Sequence, residues 1–369
     1  MKKAVLVLWI LGLGHVGKSQ QIDSIAYVLD SASAVAPFYG NILITHKGKT
    51  IFERSYGYAD VASKKPLTSS HSFQLASISK QFTAYGIMIL KSKGLLEYDH
   101  PVQKYLPTFP YANITIRHLL HHSSGLPDFW DKIRPNMDTL HSFGNKEVLT
   151  YLMENKLPLQ FSPGTQLEYC DIGYDFLANI IEQVSGLGYD VFLNKHIFKP
   201  LKMKETFGYK ITDIQRLRNK NLAIGHVYQN NKFEYAHLQP KYHFVFYLGD
   251  FYGDGSVVSS ARDLAKWDKA LTGCTLLSCE QQAEAFQQAR LKDSILPMGE
   301  NVGYGFGWFI RENPSGRMIY HTGFHPGNVH AFYRLIDKDL TLIMLSNAET
   351  TTVRRLRTRM LNLLNEPKK

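Results

Sequence analysis

Residues 72–94 read SFQLASISKQFTAYGIMILKSKG, and the fold turns on how this stretch is interpreted. From about Ser77 the apolar residues Phe82, Tyr85, Ile89 and Leu90 fall at helical spacing, and Gly94 closes the run as a C-terminal stop. Ser77-Ile78-Ser79-Lys80 is the chain's only S-x-x-K. If Ser77 opens the helix, Lys80 lies one turn on and on the same face, so its amine reaches the Ser77 hydroxyl. A lysine buried among apolar neighbours loses its preference for the charged form and can accept a proton near neutral pH. The helix N-terminus adds backbone N–H groups where an oxyanion forms. Four residues thus supply a nucleophile, a base and half an oxyanion hole. By itself the motif is expected about once by chance in a chain of this size, so the flanking sequence has to carry the rest.

Upstream, residues 22–34 read as a helix, and GNILITHKGKTIFERSYGYA (residues 40–59) reads as a hairpin turning at Lys47-Gly48-Lys49. In its first strand, Asn41–Thr45, Ile/Leu/Ile alternates against polar residues. Residues 95–300 carry mostly helical patterns, as in YDFLANIIEQVSG and SARDLAKWDKAL. From Tyr304 the period returns to strands, in YGFGWFIRE, RMIYHTGF, NVHAFYRLID and LTLIMLSN, and the chain ends in a basic amphipathic helix. Strand patterns at both ends predict an α+β fold: one antiparallel sheet built from both termini, flanked by helices, with an inserted, mostly helical subdomain.

Two further tripeptides follow in order. Tyr169-Cys170-Asp171 lies between FSPGTQLE and a helical pattern, and His321-Thr322-Gly323 ends an expected strand. An S-x-x-K helix, a Tyr-x-Asn-like tripeptide and a Lys/His-Thr-Gly strand, in that order, resemble the serine β-lactamases and penicillin-binding proteins. The variant is most similar to the class C β-lactamase and D-alanyl-D-alanine carboxypeptidase superfamily, including its esterases. The resemblance extends to LLHHSSGLPD, HIFKPLKM and GDGSVVSSARDLAKW. It implies an acyl-serine hydrolase with Ser77 as nucleophile, Lys80 as general base or proton relay, and Tyr169 delivering the proton to the leaving group. His321 would point donors at a substrate carboxylate or complete the proton network. The Ser77 and Phe324 amides would form the oxyanion hole, and Asp171, Thr322 and Gly323 would contact substrate. The implied substrates are peptides or amides with D-amino acids, or small esters. No metal or organic cofactor is implied.

Asp171 and His321 depart from the pattern, which usually has Asn and Lys. An ionised Asp171 only accepts hydrogen bonds, and it stabilises a charged Lys80. A histidine at neutral pH is only partly charged, so its grip on an anionic substrate weakens. Both changes suit a peptidase or esterase better than an efficient penicillin hydrolase. A class C-like β-lactamase and a non-catalytic penicillin-binding relative remain the alternatives.

Other candidates read as structural. His122, Ser124 and Gly125 belong to a bracing loop, and Asp263 is an N-cap or first-turn acid. Tyr304, Phe306 and Trp308 alternate in a strand as core or groove wall. Cys170 is a buried thiol. No G-x-S-x-G nucleophile elbow is present.

The N-terminus has a secretory layout: Lys2 and Lys3, an apolar run from Ala4 to Leu13, then Gly17 and Ser19 spaced for a cut before Gln20. The expected organisation is a signal peptide at residues 1–19 and one hydrolase domain at 20–369. The sheet part covers about 20–95 and 300–369, and the helical insertion about 96–299. Gly12, Gly14, Gly17, Lys18 and Ser19 also spell P-loop and dinucleotide patterns. Neither has its partners, a strand ending in a Mg²⁺-binding Asp or an acid about 20 residues on. Losing residues 1–19 removes Lys2, Lys3 and Lys18 and lowers the formal charge from +10 to +7. No basic stripe interleaved with aromatics suggests nucleic acid, and no later apolar run is long enough to span a bilayer. The expected location is secreted or periplasmic, with a small-molecule or peptide substrate as partner. In an oxidising compartment Cys274 and Cys279 could close a small loop, leaving Cys170 unpaired.

Overall fold

The computed structural model describes residues 25–28, 30–31, 38–209, 221–289, 302–314 and 316–365. The secretory segment at 1–19 and the glycine-lysine-serine pattern within it lie outside these residues. Of the helix expected at 22–34, the described residues 25–28 and 30–31 are helical.

Seven antiparallel strands form the main sheet: β1 (Gly40–His46), β2 (Lys49–Tyr56), β3 (Val302–Tyr304), β4 (Phe309–Asn313), β5 (Gly316–His325), β6 (Asn328–Leu335) and β7 (Leu340–Ser346). Their spatial order is β3-β4-β5-β6-β7-β1-β2, so the N-terminal hairpin completes a sheet begun by the C-terminal strands. This is the α+β architecture expected from the strand patterns at both ends.

Alternation along the central strands sorts their side chains into two cores. Ile42, Ile44, Ala331, Tyr333, Leu342 and Met344 face outward. They pack under α4 (Thr351–Asn365), whose Val353, Leu356, Met360 and Leu364 form one apolar stripe. Leu43, Phe332, Ile343 and Leu345 face inward and join the large core with α1 (Lys80–Ser92), α2 (Asp171–Ser185) and α3 (Ala261–Thr272). Strand β1 is therefore not half solvated. Asn41 and Thr45 are buried too, and the Asn41 amide donates to the Thr68 carbonyl at 2.9 Å.

One other expectation needs correction. YGFGWFIRE is not one strand: it breaks into β3 and β4 at Gly305–Trp308, with Gly307 at φ +78°. A side chain on Gly307 would sit 2.8 Å from the Lys80 carbonyl and 2.9 Å from the Gln81 backbone, so the turn presses on the start of α1. Tyr304, Phe306 and Trp308 are core residues, as expected, but only Tyr304 sits in a strand, while Phe306 and Trp308 lie within this turn. The mostly helical insertion also carries a hairpin. Strands His226–Gln229 and Lys232–Tyr235 pair through Asn230-Asn231, both left-handed at φ +51° and +60°, and the first runs parallel to Ala348–Glu349. Two consecutive Asn residues are a signal for a type I′ hairpin.

Candidate active site

Ser77 lies in a single 3₁₀ turn, Ala76–Ser79, and α1 proper begins at Lys80. Ala76 takes φ +49°, a left-handed kink that turns the chain from the strand Phe73–Gln74 into the helix. Gly323 on β5 fits against this turn: a Cβ there would lie 2.2 Å from the Leu75 carbonyl oxygen. The His-Thr-Gly strand is thereby held against the Ser77 turn, and Gly307 packs on the backbone of Lys80 and Gln81.

Lys80 is completely buried, and its Nζ stands 3.3 Å from Ser77 Oγ. It donates to Asp171 Oδ1 at 2.7 Å and to the Asp254 carbonyl at 3.1 Å, and lies 3.9 Å from Asp254 Oδ2. Burial alone drives this amine toward its neutral form. The attraction of Asp171, Tyr169 and Asp254 outweighs that, holding its pKa well above the ordinary lysine range. Asp171 opens α2, where the helix N-terminus favours a carboxylate.

Asp254 and Asp175 are the site residues that the sequence reading missed. Asp175 follows Asp171 by one helical turn, and the Asp254 N–H donates to Asp175 Oδ1 at 3.2 Å. Burial, then Asp254 and Asp171, raise the Asp175 pKa well above the carboxylate range, so it keeps its proton. Burial raises Asp254 to about 6 against the pull of Lys80, with Asp171 adding to the rise. The i, i+4 spacing and the two glycines flanking Asp254 were visible signals; the meeting of the two segments was not.

Tyr169 packs 4.3 Å, centroid to centroid, from the His122 ring, and Lys80 Nζ lies 4.9 Å from its ring. Its hydroxyl is buried and makes no hydrogen bond of standard geometry among the described residues. Burial pushes its pKa up to about 12, while Lys80 and Ser77 hold it down. His122, at φ +54°, accepts the Cys170 N–H on Nδ1 at 3.1 Å and so braces the tripeptide; burial and the Lys80 charge keep it neutral. Ser124 Oγ accepts the Leu126 N–H and does not pair with His122. Burial pushes the Cys170 thiol up to about 12, which removes it as a nucleophile.

His321 departs from the role of a cationic donor. Its Nδ1–H donates to the Thr322 carbonyl at 2.6 Å, and Nε2 accepts from the Tyr304 hydroxyl at 3.0 Å. Burial, followed by the Lys80 charge, lowers its pKa to about 3. A neutral imidazole with both nitrogens engaged faces the site and cannot grip a substrate carboxylate.

Ser77, Tyr169, Asp171, Asp175, Asp254, His321, Thr322 and Phe324 all line one cleft of about 780 Å³. Lys80 sits beneath its floor. The other walls are largely aromatic and aliphatic, with Phe129, Trp130, Phe244, Leu248, Phe251 and Phe309 prominent. Asp263 lies outside it. This carboxylate is a first-turn acid of α3, accepting the Glu205 N–H and the Thr206 hydroxyl, while Ser260 caps the helix.

A sheet backing a helix that begins just after a serine, with an amine under that serine, is the architecture of β-lactamase-fold serine hydrolases. Residues 32–365 match the beta-lactamase family, and the chain belongs to it. It is 38% identical over 319 residues to penicillin-binding protein 4* of Bacillus subtilis, covering 85% of this chain and 69% of that protein. To the protein flp of Staphylococcus aureus it is 28% identical over 291 residues, covering 77% of this chain but only 54% of that one. Among solved structures it is similar to an octameric penicillin-binding protein homologue from Pyrococcus abyssi, with TM-score 0.77 and 26% identity over 93% of this chain and 77% of the other. It is also similar to the D-amino acid amidase of Ochrobactrum anthropi, with TM-score 0.74 and 25% identity over 94% of this chain and 99% of that one. No helix among the described residues is long and apolar enough to cross a membrane.

Proposed function

We propose that this protein is an exported serine hydrolase that acts through an acyl-Ser77 intermediate on amides or peptides of D-amino acids, or on small esters. The observation that carries the reading is the Ser77 hydroxyl 3.3 Å from a buried amine, at the floor of a cleft shared with Tyr169 and Thr322. Ser77 Oγ adds to the carbonyl carbon, and the amide C–N or ester C–O bond breaks. The serine proton passes to Lys80 in its neutral form and, through Tyr169, to the departing nitrogen or oxygen. Water then adds to the acyl carbon, releases the acid and restores the Ser77 hydroxyl. The Ser77 and Phe324 amides face the developing oxyanion in this scheme. The likeness to a D-amino acid amidase supports the amide and D-amino acid part of the proposal. The disulfide Cys274–Cys279 and the secretory layout of residues 1–19 support export.

Intact-mass spectrometry of the secreted protein, before and after a fluorophosphonate or a β-lactam, tests both parts. The expected result is a chain starting at Gln20 and one adduct, absent from Ser77→Ala. An unlabelled wild type with its fold intact would sink the hydrolase reading.

A further inference from the structure

The cleft also carries information about which acyl donor it takes. Asp171 uses Oδ1 to hold Lys80, and its other oxygen accepts no hydrogen bond among the described residues. The side chain is 29% exposed and faces the cleft beside Ser77. A carboxylate there can only accept, so it repels the carbonyl oxygen of an acylamino group and welcomes an N–H or ammonium. Asp254 adds a second carboxyl to the same wall, 25% exposed. No Lys or Arg lines the cleft among the described residues, and His321 is engaged at both ring nitrogens. The same cleft is lined by Phe129, Trp130, Phe244, Phe251 and Phe309. Tyr169 also borders the cleft, its hydroxyl buried beside Lys80 and Ser77.

We infer that the acyl donor is an α-amino acid amide or ester with a free ammonium group and a bulky apolar or aromatic side chain, its ammonium bound to Asp171. This deepens the hydrolase reading and rests on it. The ammonium accepts no covalent change; it orients the carbonyl carbon over Ser77 while the side chain fills the aromatic half of the cleft. Acylating the amine removes its positive charge and brings a carbonyl oxygen toward a carboxylate, and a free substrate carboxylate there meets like charge.

The test compares phenylalanine amide with its N-acetyl derivative, each as both enantiomers, at pH 7, where the amine is mainly protonated. The wild type should favour the free amine in kcat/KM by about tenfold or more, the value of one charge-assisted hydrogen bond. In Asp171→Asn that ratio should collapse toward one or invert. The ratio cancels the change that the substitution itself makes in Lys80, which is common to both substrates. A slow substrate is read instead by protection of Ser77 from fluorophosphonate. Equal turnover and equal protection by the two compounds, or a ratio unchanged in Asp171→Asn, overturns the inference and leaves the hydrolase reading standing. Loss of fluorophosphonate labelling itself is the failure of that earlier reading.

Discussion

Replacing Asp171 by Asn tests the electrostatics of the site most directly. The carboxylate lies 2.7 Å from Lys80 Nζ. At an effective dielectric of about 20, a unit-charge pair at that distance is worth ~6 kcal/mol before other terms. That is a ceiling, because the Asn carbonyl keeps one hydrogen bond and Asp254 remains 3.9 Å away. A neighbouring opposite charge typically shifts a pKa by about 1–3 units. We therefore expect Asp171→Asn to lower the Lys80 pKa, with burial now pulling it down against less resistance.

The consequence is kinetic. Acylation needs Lys80 without its proton, and in the wild type its raised pKa makes that form scarce at pH 7. The acylation rate should thus climb about tenfold per pH unit between pH 7 and 9, as expected for one ionising base below its pKa. In the Asn variant the same curve should move to lower pH by the shift in Lys80. At pH 7 acylation by an activated ester, and by penicillin, should rise at least tenfold. Stopped-flow measurement of the acylation burst across pH 6–10 gives both curves. A flat wild-type profile above pH 7, or an Asn variant no faster at pH 7 with its fold intact, would refute Lys80 as the base.

Three other outcomes follow from the packing. His121, His321 and His330 are buried with pKa values near 3, far below the 6.5 of an exposed histidine. Their folded forms bind fewer protons than the unfolded chain, so stability is complete above about pH 6.5 and drains as pH falls toward 3. Each loses ~1.4 kcal/mol in all between pH 7.5 and 5.5; for a chain of this size thermal melts at the two pH values should differ by about 5 °C, and equal Tm values would contradict the burial of these rings. Cys274→Ser opens a loop of sequence separation 5, which costs about 2 kcal/mol by loop-closure entropy, and chemical denaturation should show it without loss of Ser77 labelling. Gly323→Ala forces β5 away from Leu75, at a cost of about 1–3 kcal/mol. Labelling of Ser77 should slow more than the melt alone explains, and unchanged labelling would argue that β5 does not set the nucleophile.

What could be read from sequence was what short spacing controls. Ser77 and Lys80 are three residues apart, so helical geometry alone brings amine and hydroxyl together. The sheet strands were legible because each carries enough β-branched and aromatic residues to be seen on its own. The break at Gly305–Trp308 was not, since a glycine in a strand pattern signals a turn only once something is known to approach it; here that is the backbone at Lys80. The double burial of β1 depended on α4, more than 300 residues away in the chain. His321 is the instructive case. Its sequence position suggested a donor, but the Tyr304 hydroxyl and its own neighbour's carbonyl occupy both nitrogens. Local chemistry names a side chain's capacity, and tertiary partners decide how much of it is left over.

The carboxylates follow the same logic in reverse. One buried ammonium faces Asp171, Asp254 and, behind them, Asp175. Burying three negative charges around one positive charge is prohibitive, so Asp175 keeps its proton and Asp254 retains part of one. The cost of that arrangement is a Lys80 held in its charged form, unready to take a proton from Ser77. Tyr174, His122 and His321 also face the amine, but as neutral groups they cannot relieve it. A cation arriving from the cleft can. Bound to the open oxygen of Asp171, it competes for the charge that restrains Lys80 and repels the lysine's own proton. On the inference drawn above, the substrate's ammonium does more than anchor the acyl group: it shifts the amine below it toward the form that attack on a carbonyl requires.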